Sequence, residues 1–190
     1  MAAVADLDTA RATLLEALRE HALILGEVTL SSGQKASYYV DARRALLRPA
    51  GFRAAGELVA SAAADLGADA VGGPATAAIP VACSALAVES GSRLRAFFVR
   101  KEAKPHGLQR AVEGAVAEGD RVLVVEDTVT TGGSTVEALE QVRAAGLEIV
   151  GVLAVVDRLA GGGERISEAA GAPYRALTDV DEIHPDRDDR

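Results

Sequence analysis

The 190-residue sequence holds one cysteine, one methionine, no tryptophan and only 3% aromatic residues. A lone thiol, Cys83, closes no intrachain bridge, which excludes a cysteine-stapled scaffold. It lies in the apolar run 80–88, where a small, inert, buried hydrophobe is expected. No apolar run reaches the roughly 18 residues that span a bilayer, and the N-terminus lacks a basic region followed by an apolar core. A soluble cytoplasmic protein is the expectation. Positive charge is also short: 20 Lys and Arg against 28 Asp and Glu leave a net charge of −8. That field repels nucleic acid and anionic membrane, so neither is an expected partner, and an anionic ligand must be met by a local cationic cluster.

What is present suits one globular domain over residues 1–190, since 49% of residues are apolar and 25% charged, which excludes disorder. Alanine and valine supply the core in place of large rings, a palette that suits helices packed closely on a sheet. Asp8 is the expected N-cap of a first helix carrying Leu14, Leu15, Leu18, Ala22 and Leu25 and ended by Gly26. Short strands over 28–30 and 38–40 flank the polar turn 31–35, and together with the first helix they form an N-terminal unit over about 1–45. Pro49 opens a second helix that Gly67 stops.

From there strands alternate with helices. Strands are expected over 68–72, 94–100, 121–126, 148–156 and 174–177, and helices over 79–89, 134–145 and 164–170. Unbroken apolar strands separated by helices predict an α/β fold with an open, mainly parallel sheet flanked by helices, its core over about 50–178. The charged, aperiodic tail 179–190 is expected to be a frayed end. His184 is assigned to that tail and His21 to a helix surface.

The most informative stretch is Val122-Leu123-Val124-Val125-Glu126-Asp127-Thr128-Val129-Thr130-Thr131-Gly132-Gly133-Ser134, a buried strand ending in two acids before a hydroxyl- and glycine-rich turn opens a helix. Ligands of open α/β sheets bind at the carboxyl ends of strands. Backbone N–H groups at the helix start attract an anion, Gly132 and Gly133 allow close approach, and the hydroxyls of Thr128, Thr130, Thr131 and Ser134 add donors. A phosphate monoester fits that cup, and the adjacent carboxylates call for ribose hydroxyls or magnesium opposite them. Neither a P-loop nor a dinucleotide fingerprint is present.

Lysine occurs only at positions 35, 101 and 104, and two of these fall in Arg100-Lys101-Glu102-Ala103-Lys104-Pro105-His106-Gly107. Where arginine is the habitual cation, a retained lysine points to a compact charge on a mobile stem. The segment begins where a strand ends and runs without period to Gly119, so it reads as a long flexible loop able to close as a lid over a polyanion.

These residues carry a resemblance. Residues 124–134 resemble the phosphoribosyl-pyrophosphate (PRPP) motif of type I phosphoribosyltransferases, and residues 100–107 resemble the catalytic loop of the orotate phosphoribosyltransferase family. Residues 29–39 resemble that family's N-terminal signature, and Val155-Val156-Asp157-Arg158 its late strand end. The resemblance implies that Lys104, Lys101 and His106 are catalytic and, with Arg100, contact the pyrophosphate. Glu126 and Asp127 would hold the ribose hydroxyls, and Thr128, Val129, Thr130, Thr131, Gly132, Gly133 and Ser134 the 5-phosphate. Thr130 and Arg158 would engage orotate, with Arg158 on its carboxylate and the hairpin around Tyr39 forming a small hood. It further implies Mg2+ held mainly through PRPP rather than by direct side-chain ligands, and a homodimer whose catalytic loop reaches the neighbouring subunit's site. Two departures stand out: Ser31 replaces a common hairpin lysine, leaving the part of Lys35 open, and the pyrophosphate loop Gly73-Pro74-Ala75-Thr76-Ala77-Ala78-Ile79-Pro80 lacks the usual Tyr-Lys pair. A phosphoribosyltransferase for another base, or a PRPP-binding regulator without catalysis, remains as an alternative.

Overall fold

A computed structural model describes residues 6–29, 35–101 and 111–187. Helix α1 (Leu7–Ala17) is capped by Asp6, not Asp8: the Thr9 N–H donates to the Asp6 carboxylate at 3.4 Å. It passes into a π-helical turn, Leu18–Ala22, that carries the half-buried His21, and there the helix ends. The expected continuation through Leu25 is replaced by strand β1 (Leu23–Thr29), paired antiparallel with β2 (Lys35–Val40). The helical spacing of Ala22 and Leu25 misled because a short apolar run satisfies either period, and Leu25 in fact points to solvent, 67% exposed.

The short helix α2 (Arg43–Leu46) leads to α3 (Pro49–Leu66), whose bounds are those the punctuation predicts. Pro49 starts it from an extended Arg48, and Gly67 ends it at φ 62°, a left-handed backbone that glycine adopts without a Cβ penalty. There follow β3 (Ala70–Pro74), α4 (Ala78–Leu86), β4 (Arg95–Val99), β5 (Val112–Gly114), β6 (Arg121–Val129), α5 (Gly133–Ala144), β7 (Glu148–Asp157), α6 (Gly162–Ala170), β8 (Tyr174–Asp179) and α7 (Val180–Ile183).

Six strands form one sheet in the order β5-β4-β3-β6-β7-β8, in which every neighbouring pair is parallel except β4–β5. Alternate residues of β6 face opposite layers. Leu123 and Val125 join the cluster built with α1, α3, α4 and α7, while Val122 and Val124 join the one built with α5 and α6. Among the described residues no helix is long and apolar enough to cross a membrane.

Three expectations need correction. The stretch expected to be loop as far as Gly119 contains β5, a three-residue edge strand too short to show a period, which exists because Val112 pairs with Val99 and Gly114 with Phe97. The tail is not frayed over its described part: Asp179 and Glu182 form a capping box, and Val180 and Ile183 are buried. Two apolar residues in one turn make no readable period, so the segment is ordered by its capping box together with tertiary contacts. Cys83 is exposed. Helix α4 is apolar almost all round, which left no polar position to mark the outward face that Cys83 and Leu86 occupy.

Candidate active site

Strand order decides where a ligand can sit. After β3 the chain places β4 on one side and, returning, β6 on the other, so the connections diverge between β3 and β6 and open a crevice at their carboxyl ends. The two strands lie close because position 73 is glycine: a Cβ there would run into the Val125 carbonyl. Four strand ends meet at this edge. The pyrophosphate-type loop leaves β3, and Ala75 N–H donates to Val99 O at 2.8 Å. Arg100 and Lys101 leave β4, the acid pair and cup end β6, and Asp157 and Arg158 end β7 beside them, with Arg158 N–H donating to Val129 O at 2.8 Å.

Consecutive strand positions send the two acids to opposite layers. Glu126, 5% exposed, accepts a hydrogen bond from Thr135 Oγ1 at 3.1 Å. Asp127 accepts from the Thr128 N–H at 2.8 Å and lies within the field of Arg43. Burial first, and the Asp127 charge second, push the Glu126 carboxyl up to about 8. Asp127 is raised too, by burial, against the pull of the Thr128 N–H and Arg43. Of the two, Glu126 is the one that burial and its neighbour's charge favour in the protonated form. Ligand hydroxyls donating here, or a cation beside them, would stabilise the charge that burial opposes. Among the described residues no three His, Cys, Asp or Glu side chains converge as a metal cage.

The cup follows directly. Gly132 caps α5 at φ 75°, where a Cβ would also crowd Ile166, and Gly133 opens the helix with Arg165 its nearest non-local neighbour, 3.9 Å from where a Cβ would stand. Thr130, Thr131 and Ser134 are exposed at the rim. Thr128 Oγ1 is buried with no hydrogen-bond partner among the described residues. Val129 is buried in the core and offers only its backbone. From behind, Gly162 presses so closely that a side chain there would strike Thr130 O, and Arg165 Nη1 donates to Thr131 O at 3.3 Å.

Of the expected cationic residues, Arg100 is held to Glu113 at 3.3 Å and Lys101 is exposed. Lys104 and His106 lie outside the described residues, as does Ser31. Lys35 pairs with Glu27 at 2.9 Å on the exposed hood. Arg158 sits over the ring of Tyr38, 5.4 Å from its centroid; Tyr38 is buried whereas Tyr39 is half-buried. The sequence reading missed Thr135 and Arg43. Thr135 had a signal, a hydroxyl one turn into the helix after the acid pair. Arg43 had none, because only the fold brings α2 to the end of β6.

A sheet edge with a paired acid, a hydroxyl-lined helix entry and cations on the flanking strands defines a phosphoribosyl-transferring class of site. The family described as the phosphoribosyl transferase domain matches residues 44–173. Orotate phosphoribosyltransferase of Streptomyces avermitilis is 51% identical over 179 residues, covering 93% of this chain and 98% of that protein. The crystal structure of Mycobacterium tuberculosis orotate phosphoribosyltransferase in complex with Fe(III) dicitrate superposes with a TM-score of 0.83 at 44% identity, covering 92% of this chain and 99% of that one. The same enzyme in complex with PRPP gives a TM-score of 0.78 at 40% identity, covering 92% and 98%. Adenine phosphoribosyl transferase of Trypanosoma brucei, 12% identical with a TM-score of 0.68, shares the fold alone. This chain belongs to the phosphoribosyl transferase domain family and, within it, to the orotate phosphoribosyltransferases.

Proposed function

We propose that this chain transfers ribose 5-phosphate from PRPP to N1 of orotate, giving orotidine 5-phosphate and pyrophosphate, a step of de novo pyrimidine (UMP) biosynthesis. The observation that carries it is the juxtaposition at one sheet edge of the phosphate cup after β6 and Arg158 after β7, tied by the Arg158–Val129 backbone bond. The names of the close relatives support orotate over another base.

In the reaction the C1–O bond to pyrophosphate breaks, positive charge grows on the ribosyl carbon, and N1 of orotate bonds to C1 as it gives up its proton. The cup from Thr128 to Ser134 binds the 5-phosphate, and Asp127 and Glu126 receive the ribose hydroxyls. Arg100, Lys101, Lys104 and His106 stabilise the departing pyrophosphate, with backbone groups of the 73–80 loop serving where the tyrosine and lysine are missing. Arg158 grips the orotate carboxylate and Thr130 the ring, while the hood around Tyr39 excludes water. Glu126 and Asp127 fit Mg2+ brought in with PRPP, and such an ion would supply charge neutralisation for the leaving group.

Residues 1–190 act as one domain, the hairpin serving as its hood. A homodimer and a cytoplasmic location belong to the same reading. Exposed Leu47 and Leu86, with Cys83 beside the latter on α4, support a partner surface.

The test is loss of orotate absorbance on mixing the protein with PRPP and Mg2+, beside uracil, hypoxanthine and adenine controls assayed for nucleotide. Orotate consumption requiring both PRPP and Mg2+ is expected; PRPP binding without orotate turnover would move the reading to another base or to a regulator. Lys104→Ala is expected to lower turnover by about two orders of magnitude or more with little change in substrate binding. Near-normal turnover in that variant removes Lys104 from the mechanism.

A further inference from the structure

The C-terminal segment is anchored more firmly than its composition suggests. The Glu182 carboxylate accepts two hydrogen bonds from Arg11 Nη2 at 2.7 and 2.8 Å, and Arg19 donates twice to the Glu182 carbonyl at 2.9 and 2.8 Å. Val180 and Ile183 are buried beneath, and Arg187 pairs with Asp181 at 2.6 Å. His184 follows immediately, its N–H donating to Val180 O at 2.8 Å. So placed, its ring meets the ring of Tyr38 edge-to-face, with centroids 5.1 Å apart and planes at 76°. Tyr38, 2% exposed, is the same ring over which Arg158 sits.

Three distant parts of the chain therefore meet in one contact chain: the end of β7 through Arg158, the hood through Tyr38, and the C-terminal segment through His184. A guanidinium on a flexible stem loses rotamer freedom whenever it grips a carboxylate, and an aromatic face fixed in advance lowers that loss. The face can orient Arg158 only if its own ring is held.

We propose that His184 is a positioning residue for the orotate-gripping Arg158, acting through the ring of Tyr38. This rests on the transfer reaction proposed above. His184 touches no substrate; it fixes the plane of Tyr38, and that plane fixes the guanidinium.

Steady-state kinetics of His184→Ala, His184→Leu and His184→Phe against the wild type test it, with thermal melting to check folding. An edge-to-face pair is worth about a two- to tenfold factor, so His184→Ala is expected to raise KM for orotate by that amount, leaving kcat and KM for PRPP within about twofold. His184→Leu, which fills the space without an aromatic ring, is expected to behave as alanine does, and it decides the matter should the alanine variant fail to fold. His184→Phe restores the ring and is expected to return KM for orotate close to wild type. An unchanged KM for orotate in a folded alanine or leucine variant overturns the inference. So does a parallel rise in KM for PRPP, or a phenylalanine variant as impaired as alanine. If the wild type itself turns over no orotate, the transfer reaction fails and takes this inference with it; wild-type turnover with an unaffected His184→Ala sinks the inference alone.

Discussion

Two strand-to-helix turns stand side by side at the carboxyl edge and share a plan. β6 carries Glu126-Asp127 just before its end at Val129 and enters α5 through Gly132 at φ 75°; β7 ends at Asp157, followed by Arg158, and enters α6 through Gly161 at φ 79°. They differ in what their acids and helix starts already touch. Asp157 is satisfied within the fold, accepting the Leu159 N–H at 2.7 Å and the Tyr174 hydroxyl at 2.9 Å. That carboxylate and burial hold the Tyr174 phenol well above its usual range, so it stays a donor. Among the described residues Asp127 accepts only a neighbouring N–H, and it lies beside the buried Glu126. Threonines line the first turn, whereas Leu159, Ala160 and three glycines line the second, whose Gly162 is spent bracing the first. A glycine-capped helix start is thus not by itself an anion cup; it needs hydroxyl donors around it, and uncommitted carboxylates nearby add a place for a ligand's hydroxyls.

Substitution at both turns separates these roles, and the largest difference is expected at the acids. Asp127→Asn is expected to lower kcat/KM for PRPP by about two orders of magnitude, as loss of a preorganised electrostatic contact does. Asp157→Asn is expected to leave it within about threefold while lowering Tm by a few degrees, because one half-buried hydrogen-bond acceptor is compromised. Equal losses of activity would erase the distinction. Next come the caps. At Gly132→Ala the left-handed backbone and Ile166 both oppose the methyl, so kcat/KM for PRPP is expected to fall about tenfold or more by displacement of the cup. Gly161→Ala meets nothing within 4 Å and carries only the backbone penalty, about 1 kcal/mol of stability with unchanged kinetics.

The pH dependence of the ligand-free protein sharpens the contrast further. Glu126 rises from 4.5 unfolded to about 8 folded, so between those values the folded state binds the extra proton. Stability therefore declines as pH rises through that window and levels off above it. Glu126→Gln, which has no proton to lose, is expected to flatten the curve. At pH 8 it should melt at least about 2–4 °C above the wild type, the shift that ~1 kcal/mol produces in a chain of this size. Parallel melting curves for the two proteins from pH 4.5 to 8 would show that burial of the acid pair carries no such cost.

Legibility in the sequence followed where information is stored locally. Helix α3 was readable to its ends because Pro49 and Gly67 act through their own backbones, and the strand–acid–glycine run from Val122 to Ser134 carries its geometry in consecutive residues. Strand β5 and helix α7 were not readable, since three or four residues cannot show a period and each exists through partners far along the chain. Cys83 failed for the opposite reason, an apolar helix with no polar face to orient it. At the candidate site the same division holds: the cup and acid pair lie in consecutive residues, while Arg43 comes near Asp127 and His184 meets Tyr38 only because folding delivers them.

The contact of Tyr38 with Arg158 and His184 draws attention to the tyrosines. The chain has no tryptophan and three tyrosines, so its intrinsic ultraviolet emission comes from tyrosine alone. Tyr38 and Tyr39 stand in the hood, and Tyr174 opens the edge strand β8 with its hydroxyl on Asp157 at the end of β7. Two of the three emitters therefore belong to the hood, so a change in tyrosine emission from the unlabelled protein reports on that hairpin with no indole to mask it.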